Sequence, residues 1–199
     1  MLKKKQREYK QKHFNSLINI NGEELKIKSS EQLGVYPKII ERYVEQLDIC
    51  IARFKRVFVL RFDLHADEYT SDNKRMEKFI RRQKRRIQRT YNTKYIAHTW
   101  VREVSSSKKL HYHCTFVIDG KKIQHPEKLL AQIRAKWKHG HVPYFENMYY
   151  FIDTYKEGWE KVRTDVIERL SYLAKITTKG YRNPQTKCYP ASRLCNNCL

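Results

Sequence analysis

The sequence of 199 residues predicts an α+β fold, in which helices flank a single antiparallel sheet of about four to five strands. Segments with period-two hydrophobicity and segments with helical periodicity follow one another in the order strand, helix, strand, strand, helix, strand, helix. A short polar connection, SSSK, joins the second and third strands as an antiparallel hairpin. The order is that of a βαββαβ (split-βαβ) core, the RRM-like or ferredoxin-like architecture of many nucleic-acid-binding domains.

The strands are predicted from the alternation of apolar and other residues. In RVFVLRFDLHADEY, an apolar set alternates with a set that becomes polar towards its end. TKYIAHTWVREV and KLHYHCTFVIDG follow as the hairpin pair, and NMYYFIDTY is a weaker strand. One face of the sheet is therefore expected to be apolar, and the other to be polar at one end.

Four segments have helical spacing of apolar residues. Residues 36–55 form an amphipathic helix that opens near Pro37. Capping residues in TSDNK precede a helix over about 72–91, whose narrow apolar stripe is surrounded by Lys and Arg. Two further helices are predicted over about 126–138 and about 160–178.

Three regions are expected along the chain: a basic N-terminal arm with the amphipathic helix over 1–50, the principal domain over 51–183, and an irregular tail over 184–199. The five cysteines are an odd number in a reducing compartment, so free thiols are expected. The tail CYPASRLCNNCL carries only an incomplete zinc pattern. No segment approaches the roughly 20 apolar residues of a membrane span, and the N-terminus lacks a signal-peptide core. A cytoplasmic protein without a membrane partner is expected.

Charge is the strongest feature of the composition. Lys and Arg total 42 against 21 Asp and Glu, which gives a net charge of +21. This balance predicts a polyanionic partner, most often nucleic acid, because the release of condensed counterions from phosphates drives binding. The alternatives are a merely soluble basic protein or one that binds acidic membranes.

The strand LHYHC carries two histidines on one face. His111 and His113 point to the side opposite Tyr112, which faces the core. A hairpin centred near residue 107 would place Glu103 directly across from His111. Two imidazoles and a carboxylate suit a divalent ion such as Mg²⁺ or Mn²⁺. Asp63 and His65, on the polar face of the first strand, are alternative ligands, and a solvated sheet face without metal is the simpler explanation of the same pattern.

The last predicted helix carries a tyrosine on its polar side. Tyr172 lies there with Lys175, its i, i+3 neighbour, and with Glu168 and Lys179, opposite the Val/Leu stripe. A phenol beside an ammonium suits a nucleophile, because the cation favours negative charge on the oxygen. Lys175 alternatively holds a phosphate or stabilises the departing charge. An exposed tyrosine in a basic helix is the other interpretation.

Together these motifs resemble the HUH endonucleases, which carry His-hydrophobic-His on a strand and Tyr-x-x-Lys on a later helix. The resemblance is closest to the replication initiators of filamentous phages (inoviruses) and their prophage relatives. RFDLH, WVRE, HYHCTFVIDG, AKW and LSYLAK are similar to signatures of that group and occur in the same order, over roughly residues 50–195. The N-terminal region and the ending CNNCL do not resemble the family.

The resemblance implies a reaction and a set of residues. His111, His113 and Glu103 would hold one divalent cation, Mg²⁺ or Mn²⁺, that polarises the scissile phosphate of single-stranded DNA at a replication origin. Tyr172 would attack this phosphate with the help of Lys175. The products would be a 5′-phosphotyrosine link and a free 3′-hydroxyl that primes rolling-circle replication of a phage or mobile element. No P-loop is present, so a host helicase and polymerase are expected partners in the bacterial cytoplasm.

The basic residues of the second helix are expected to follow DNA phosphates. The predicted DNA-binding residues are Lys74, Arg75, Lys78, Arg81, Arg82, Arg85, Arg86, Arg89 and Lys179. A solvated charged face would show the same composition. Two alternative functions remain open: a non-catalytic RRM-like nucleic-acid-binding module, and an HUH single-tyrosine transposase or relaxase.

Overall fold

The computed structural model describes residues 11–105, 109–176, 190–192 and 194. Within them the strands are β1 Leu17–Ile20, β2 Glu23–Lys26, β3 Arg56–Ala66, β4 Ala97–Val104, β5 Leu110–Asp119 and β6 Tyr149–Asp153. The α-helices are α1 Pro37–Phe54, α2 Lys74–Tyr91, α3 Pro126–Lys136 and α4 Trp159–Ser171, and a 3₁₀ turn, Tyr172–Ala174, follows α4.

The principal sheet has the strand order β4-β5-β3-β6, and every neighbouring pair in it is antiparallel. Because β3 and β4 both run antiparallel to β5, they are parallel to each other with β5 inserted between them. The same relation holds for β5 and β6 on either side of β3. These are two interleaved split βαβ units, and the predicted α+β fold with a βαββαβ core is confirmed.

The sheet lies between two apolar cores. Its β3 residues Phe58, Leu60, Phe62 and Leu64 pack with α2 and α3. The alternate residues of the sheet pack with α1, α4 and the β1–β2 hairpin. This division follows from the period of two along a strand, which sends neighbouring side chains to opposite faces. We call the second surface the α1/α4 face; its apolar part covers one half of the sheet.

The N-terminal region differs from the expected arm. The β1–β2 hairpin turns at Asn21 and Gly22, both of which have positive φ, and Asn-Gly is a strong signal for this type of turn. The alternate residues Ile18, Ile20 and Leu25 are buried in the core with α1 and α4. Residues from the hairpin onwards are therefore part of the domain, and the boundary expected after residue 50 falls inside α1.

The last helix is shorter than the predicted 160–178, since α4 ends at Ser171. Backbone hydrogen bonds from outside the helix account for this end. The Tyr36 N–H donates to the Ala174 carbonyl at 2.9 Å, and the Ile176 N–H donates to the Gly34 carbonyl at 2.8 Å. Lys175 is extended, with ψ 146°, and forms a β-bridge with Val35. Lys179 lies outside the described residues.

Residues 190–192 lie along the free edge of β4. Thr99 and Ala191 form an antiparallel bridge, and the Ser192 N–H donates to the His98 carbonyl at 2.7 Å. The buried Gln46 of α1 accepts a hydrogen bond from the Ser192 hydroxyl at 2.5 Å. This segment closes an edge that would otherwise present unpaired backbone groups.

Cys50 and Cys114 are buried free thiols, as expected. Cys188, Cys195 and Cys198 lie outside the described residues. Among the helices of the described part of the chain, none is long and apolar enough to cross a membrane.

We expect the partly buried His98 of β4 to make the stability pH-dependent. Burial, with a smaller effect of Lys84, lowers the pKa of His98 to about 4. The unfolded chain binds a proton at this imidazole near its ordinary pKa of about 6.5, so stability is lost as the pH falls from that value towards 4. Between about pH 6.5 and 5 this group costs about 2 kcal/mol.

Urea unfolding at about pH 7 and 5 tests this expectation. The His98→Gln variant should lose about 2 kcal/mol less than the wild type on acidification. The exposed His125→Gln is the matched control and should behave like the wild type. An equal loss in wild type and His98→Gln would place the acid sensitivity elsewhere.

Candidate active site

The candidate site is the polar end of the α1/α4 face, on the central strands β3 and β5 and the edge strand β4. On β3, Asp63 is the register partner of His113. His65 and Glu103 are both register partners of His111, from β3 and β4 respectively. The predicted placement of Glu103 across from His111 is confirmed. The structure therefore brings all five predicted ligand candidates to one patch of the sheet.

His113 lies between two carboxylates. Its Nδ1 is 2.9 Å from Asp63 Oδ1, and its Nε2 is 3.2 Å from Glu103 Oε2. All three side chains are buried. Burial alone would lower the pKa of His113, but the two carboxylates outweigh it and the pKa lies above its usual value. Burial likewise opposes ionisation of Asp63, but His113 and then Arg61 hold the pKa of this carboxyl below its usual range.

A short chain of contacts joins this histidine to the predicted nucleophile. The Lys175 ammonium donates a hydrogen bond to the Tyr172 hydroxyl at 3.0 Å. The same Nζ lies 3.9 Å from Glu103 Oε2, which in turn contacts His113. Lys175 reaches the site because the chain becomes extended after the 3₁₀ turn. Tyr172 and Lys175 are both partly buried, so neither is the freely solvated residue of the alternative interpretation.

Three imidazoles cluster beside His113. The His65 and His111 rings stack with centroids 4.1 Å apart, and the His141 ring lies 4.4 Å from His65. Burial and the neighbouring imidazoles lower the pKa of His65 to about 4. Burial and His113 also lower the pKa of His111, against the effect of Glu103 and Asp63. Neutral imidazoles are the form that binds metal ions.

His141 and Arg61 are site residues that the sequence analysis did not assign. His141 belongs to the sequence His139-Gly140-His141, which we call the HGH segment. This segment runs beside β3, where the His65 N–H donates to the His141 carbonyl at 2.9 Å. Arg61 lies 3.6 Å from Asp63 through Nη2 and stacks over Phe145 at 4.9 Å. The sequence did indicate this position: Arg61 lies two residues before Asp63 on β3, so both side chains point to the face opposite the apolar set.

The donor set suits a hard divalent cation in its chemistry. His113 Nε2 and Glu103 Oε2 are 3.2 Å apart, close to the separation of about 3 Å between adjacent ligands that each bind one ion at about 2.1–2.2 Å. Asp63 on the other ring nitrogen is the orienting carboxylate commonly found behind a metal-bound histidine. In the described part of the chain, however, no three His, Cys, Asp or Glu side chains are already gathered around one point.

The basic helix α2 lies on the other side of the sheet from this site. Its apolar residues Met76, Phe79, Ile80 and Ile87 pack in the core of the opposite face. The predicted DNA-binding residues of α2 therefore do not adjoin Tyr172 and His113. DNA bound at the candidate site and DNA bound along α2 would contact different surfaces of the protein.

Gly140 controls how closely the HGH segment approaches β3. Its φ is +142°, and a Cβ there would overlap the carbonyl oxygen of His65. We expect Gly140→Ala to destabilise the fold by about 3 kcal/mol, from backbone strain together with overpacking. Gly22→Ala is the matched control: its φ is +90° but the space around it is open, so a cost of about 1 kcal/mol is expected. Urea unfolding of both variants measures the difference, and equal costs would contradict the packing argument.

One comparison with known proteins places the chain in a family. No curated protein and no solved structure matches it. Residues 19–192 match the YagK/YfjJ C-terminal domain. The matched range runs from the β1–β2 hairpin to the segment on the edge of β4, and so includes every element of the candidate site. The chain therefore belongs to the YagK/YfjJ C-terminal domain family.

Proposed function

We propose that the protein is an HUH-type endonuclease that nicks and rejoins single-stranded DNA through a 5′-phosphotyrosine intermediate. The observation that carries this proposal is the contact chain from Tyr172 through Lys175 and Glu103 to His113. These residues come from three separate elements and meet at one buried polar patch beside the apolar core of the α1/α4 face, against which the Tyr172 ring packs. A nucleophile, a cation and metal-type ligands are the parts that phosphoryl transfer to tyrosine requires.

Tyr172 and Lys175 would carry the bond changes. The Tyr172 oxygen forms a bond to phosphorus while the bond from phosphorus to the 3′ oxygen breaks. The phenol gives up its proton and the departing 3′ oxygen gains one, so one phosphodiester replaces another. The ammonium of Lys175, 3.0 Å from the phenol oxygen, stabilises negative charge as it develops there. Attack by the 3′-hydroxyl on the phosphotyrosine reverses the step and rejoins the strand.

His113, Glu103 and the neighbouring His111 would hold the divalent cation, Mg²⁺ or Mn²⁺. The ion would act as Lewis acid on the scissile phosphate and as a template for its orientation. Asp63 holds the His113 ring from the Nδ1 side, and Glu103 contacts both His113 and Lys175. Glu103 therefore fixes the distance between the proposed metal ligand His113 and the Lys175 ammonium, which lies beside the Tyr172 hydroxyl.

The proposed biological setting follows from the same reaction. A nick that leaves a 3′-hydroxyl primes rolling-circle replication, so the substrate would be single-stranded DNA at the origin of a phage or mobile element. Host helicase and polymerase would act on the nicked template in the bacterial cytoplasm. A transposase or relaxase would use the same chemistry on a different DNA substrate. No contact in the described residues favours either of these alternatives.

The competing RRM-like binding module is disfavoured by what lies on the sheet. Such modules stack bases on aromatic side chains of an open sheet face. Here the α1/α4 face is covered by two helices over its apolar half. Its other half carries histidines and carboxylates.

The test is covalent capture of DNA. The protein is incubated with Mn²⁺ and an end-labelled pool of single-stranded oligonucleotides, and adducts that survive SDS are collected and sequenced. A shared cleavage sequence attached at its 5′ side to protein is the expected result. Absence of any adduct with origin-containing single strands, from a protein that is folded and binds Mn²⁺, would refute the proposal.

A further inference from the structure

The outer surface of α2 carries an uninterrupted stripe of positive charge. Six of its Lys and Arg residues are exposed: Lys74, Lys78, Arg81, Arg82, Arg85 and Arg89. Their spacing of three, four and seven residues places them on one side of the helix. We call them the basic face of α2. It extends over about 22 Å of helix axis, on the side of the sheet opposite Tyr172.

In the described part of the chain, few acidic side chains neutralise this charge. Lys74 contacts Asp72 at 3.9 Å and Arg75 contacts Glu68 at 3.3 Å, both near the start of the helix. Within the described residues, the remaining five cations of the basic face make no ion pair. Glu77 is the acidic residue of the helix sequence.

Repulsion between the cations of the basic face destabilises α2. Like charges at i, i+4, such as Lys78 with Arg82 and Arg85 with Arg89, destabilise a helix by about 0.2–0.5 kcal/mol per pair. Cations in the first turn also oppose the helix dipole. An ordinary solvated helix surface carries both signs of charge, whereas this one retains repulsion that a polyanion would relieve.

We infer that the basic face of α2 is a second nucleic-acid site, which binds the phosphate backbone of double-stranded DNA. Its straight row of side chains matches a rigid duplex, and the wide major groove of B-DNA accommodates an α-helix. The narrow major groove of duplex RNA does not. The inference does not rest on the proposed nicking activity, since it depends on a different face of the molecule.

The composition of this face argues against two other polyanions. Single-stranded nucleic acid is bound with stacked aromatic side chains, and the basic face has none. Membrane-surface helices insert apolar side chains, but the apolar residues of α2, Met76, Phe79, Ile80 and Ile87, are all buried against the sheet. The exposed Lys and Arg side chains of the basic face therefore suit the regularly spaced phosphates of a duplex backbone.

The test compares two variants that lose the same number of charges. The first replaces Arg81, Arg82, Arg85 and Arg89 with Gln. The control replaces the exposed Lys26, Lys28, Lys156 and Lys161, all outside α2, with Gln. Both are made in the Tyr172→Phe background so that no strand is cut. Fluorescence anisotropy then measures binding to a duplex of about 20 base pairs, which covers two helical turns, at several salt concentrations.

The α2 variant should bind the duplex on the order of 10²–10³-fold more weakly than the control at about 0.1 M salt, with a salt slope shallower by about 3–4. Its melting temperature should equal or exceed that of the control. Unchanged duplex affinity, an equal loss in the control, or equal binding of RNA duplex or anionic vesicles would each overturn the inference. The same α2 substitutions are also made in the protein that retains Tyr172. If this variant still forms an adduct with single-stranded DNA, duplex binding and nicking are tested independently of each other.

Discussion

The Tyr172→Phe variant is expected to form no covalent DNA adduct while folding and binding Mn²⁺ like the wild type. The change removes one oxygen, the atom that would bond to phosphorus. Its hydrogen-bond partner, the Lys175 ammonium, retains Glu103 as a neighbour at 3.9 Å, so the local structure should persist. Loss of a catalytic nucleophile lowers the rate by more than about 10³-fold, which SDS gel analysis with labelled oligonucleotide readily detects.

Two further variants sharpen this result. Tyr155→Phe is the control, because Tyr155 is 75% exposed and follows Asp153, which pairs with Arg56 at the other end of β3 from Asp63; it should form adducts at the wild-type level. Lys175→Gln should slow adduct formation by about 10²–10³-fold, since it removes the charge that stabilises the developing negative oxygen. Adduct retained by Tyr172→Phe would show that another side chain is the nucleophile, and the proposed mechanism would be wrong.

The site was predictable where local periodicity determines the geometry. The parity of β5 places His111 and His113 together, and the symmetry of a hairpin fixes Glu103 against His111. By contrast, the contact between Asp63 and His113 depends on the register of β3 with β5. No turn joins those two strands, so their register is set by packing along the whole sheet and cannot be calculated from spacing.

The differences in the fold have similarly specific causes. The hairpin before α1 could have been predicted from Asn21-Gly22, a turn sequence between alternating apolar residues. The many charged residues of this region instead led to the expectation of a basic arm. The end of α4 carried none, because it depends on backbone hydrogen bonds with residues far away in the chain: the Gly34 carbonyl accepts from Ile176, and the Tyr36 N–H donates to Ala174. The position of α2 follows from strand alternation: a helix that packs on Phe58 and Leu60 cannot share a face with Asp63.

Substitution of the carboxylates around His113 is expected to separate a metal ligand from an orienting residue. Glu103 contacts Nε2 and Asp63 contacts Nδ1, and an imidazole binds a metal through one nitrogen while the other is held by its partner. His113→Ala should therefore abolish measurable Mn²⁺ binding. Asp63→Asn, which acts through the ring, should weaken it by about 10–100-fold.

Calorimetric titration with Mn²⁺ measures these affinities without DNA and independently of cleavage. Glu103→Gln should reduce affinity more than Asp63→Asn, because a direct ligand charge is lost, and it should also slow adduct formation at saturating Mn²⁺ through its contact with Lys175. His125→Gln is the control, since this exposed histidine precedes α3, on the side of the sheet opposite the site. The reverse order, with Asp63→Asn more damaging than Glu103→Gln, would make Asp63 the ligand. The ion would then lie on the Nδ1 side of His113, away from Lys175, and the contact chain to Tyr172 would no longer connect the metal with the nucleophile.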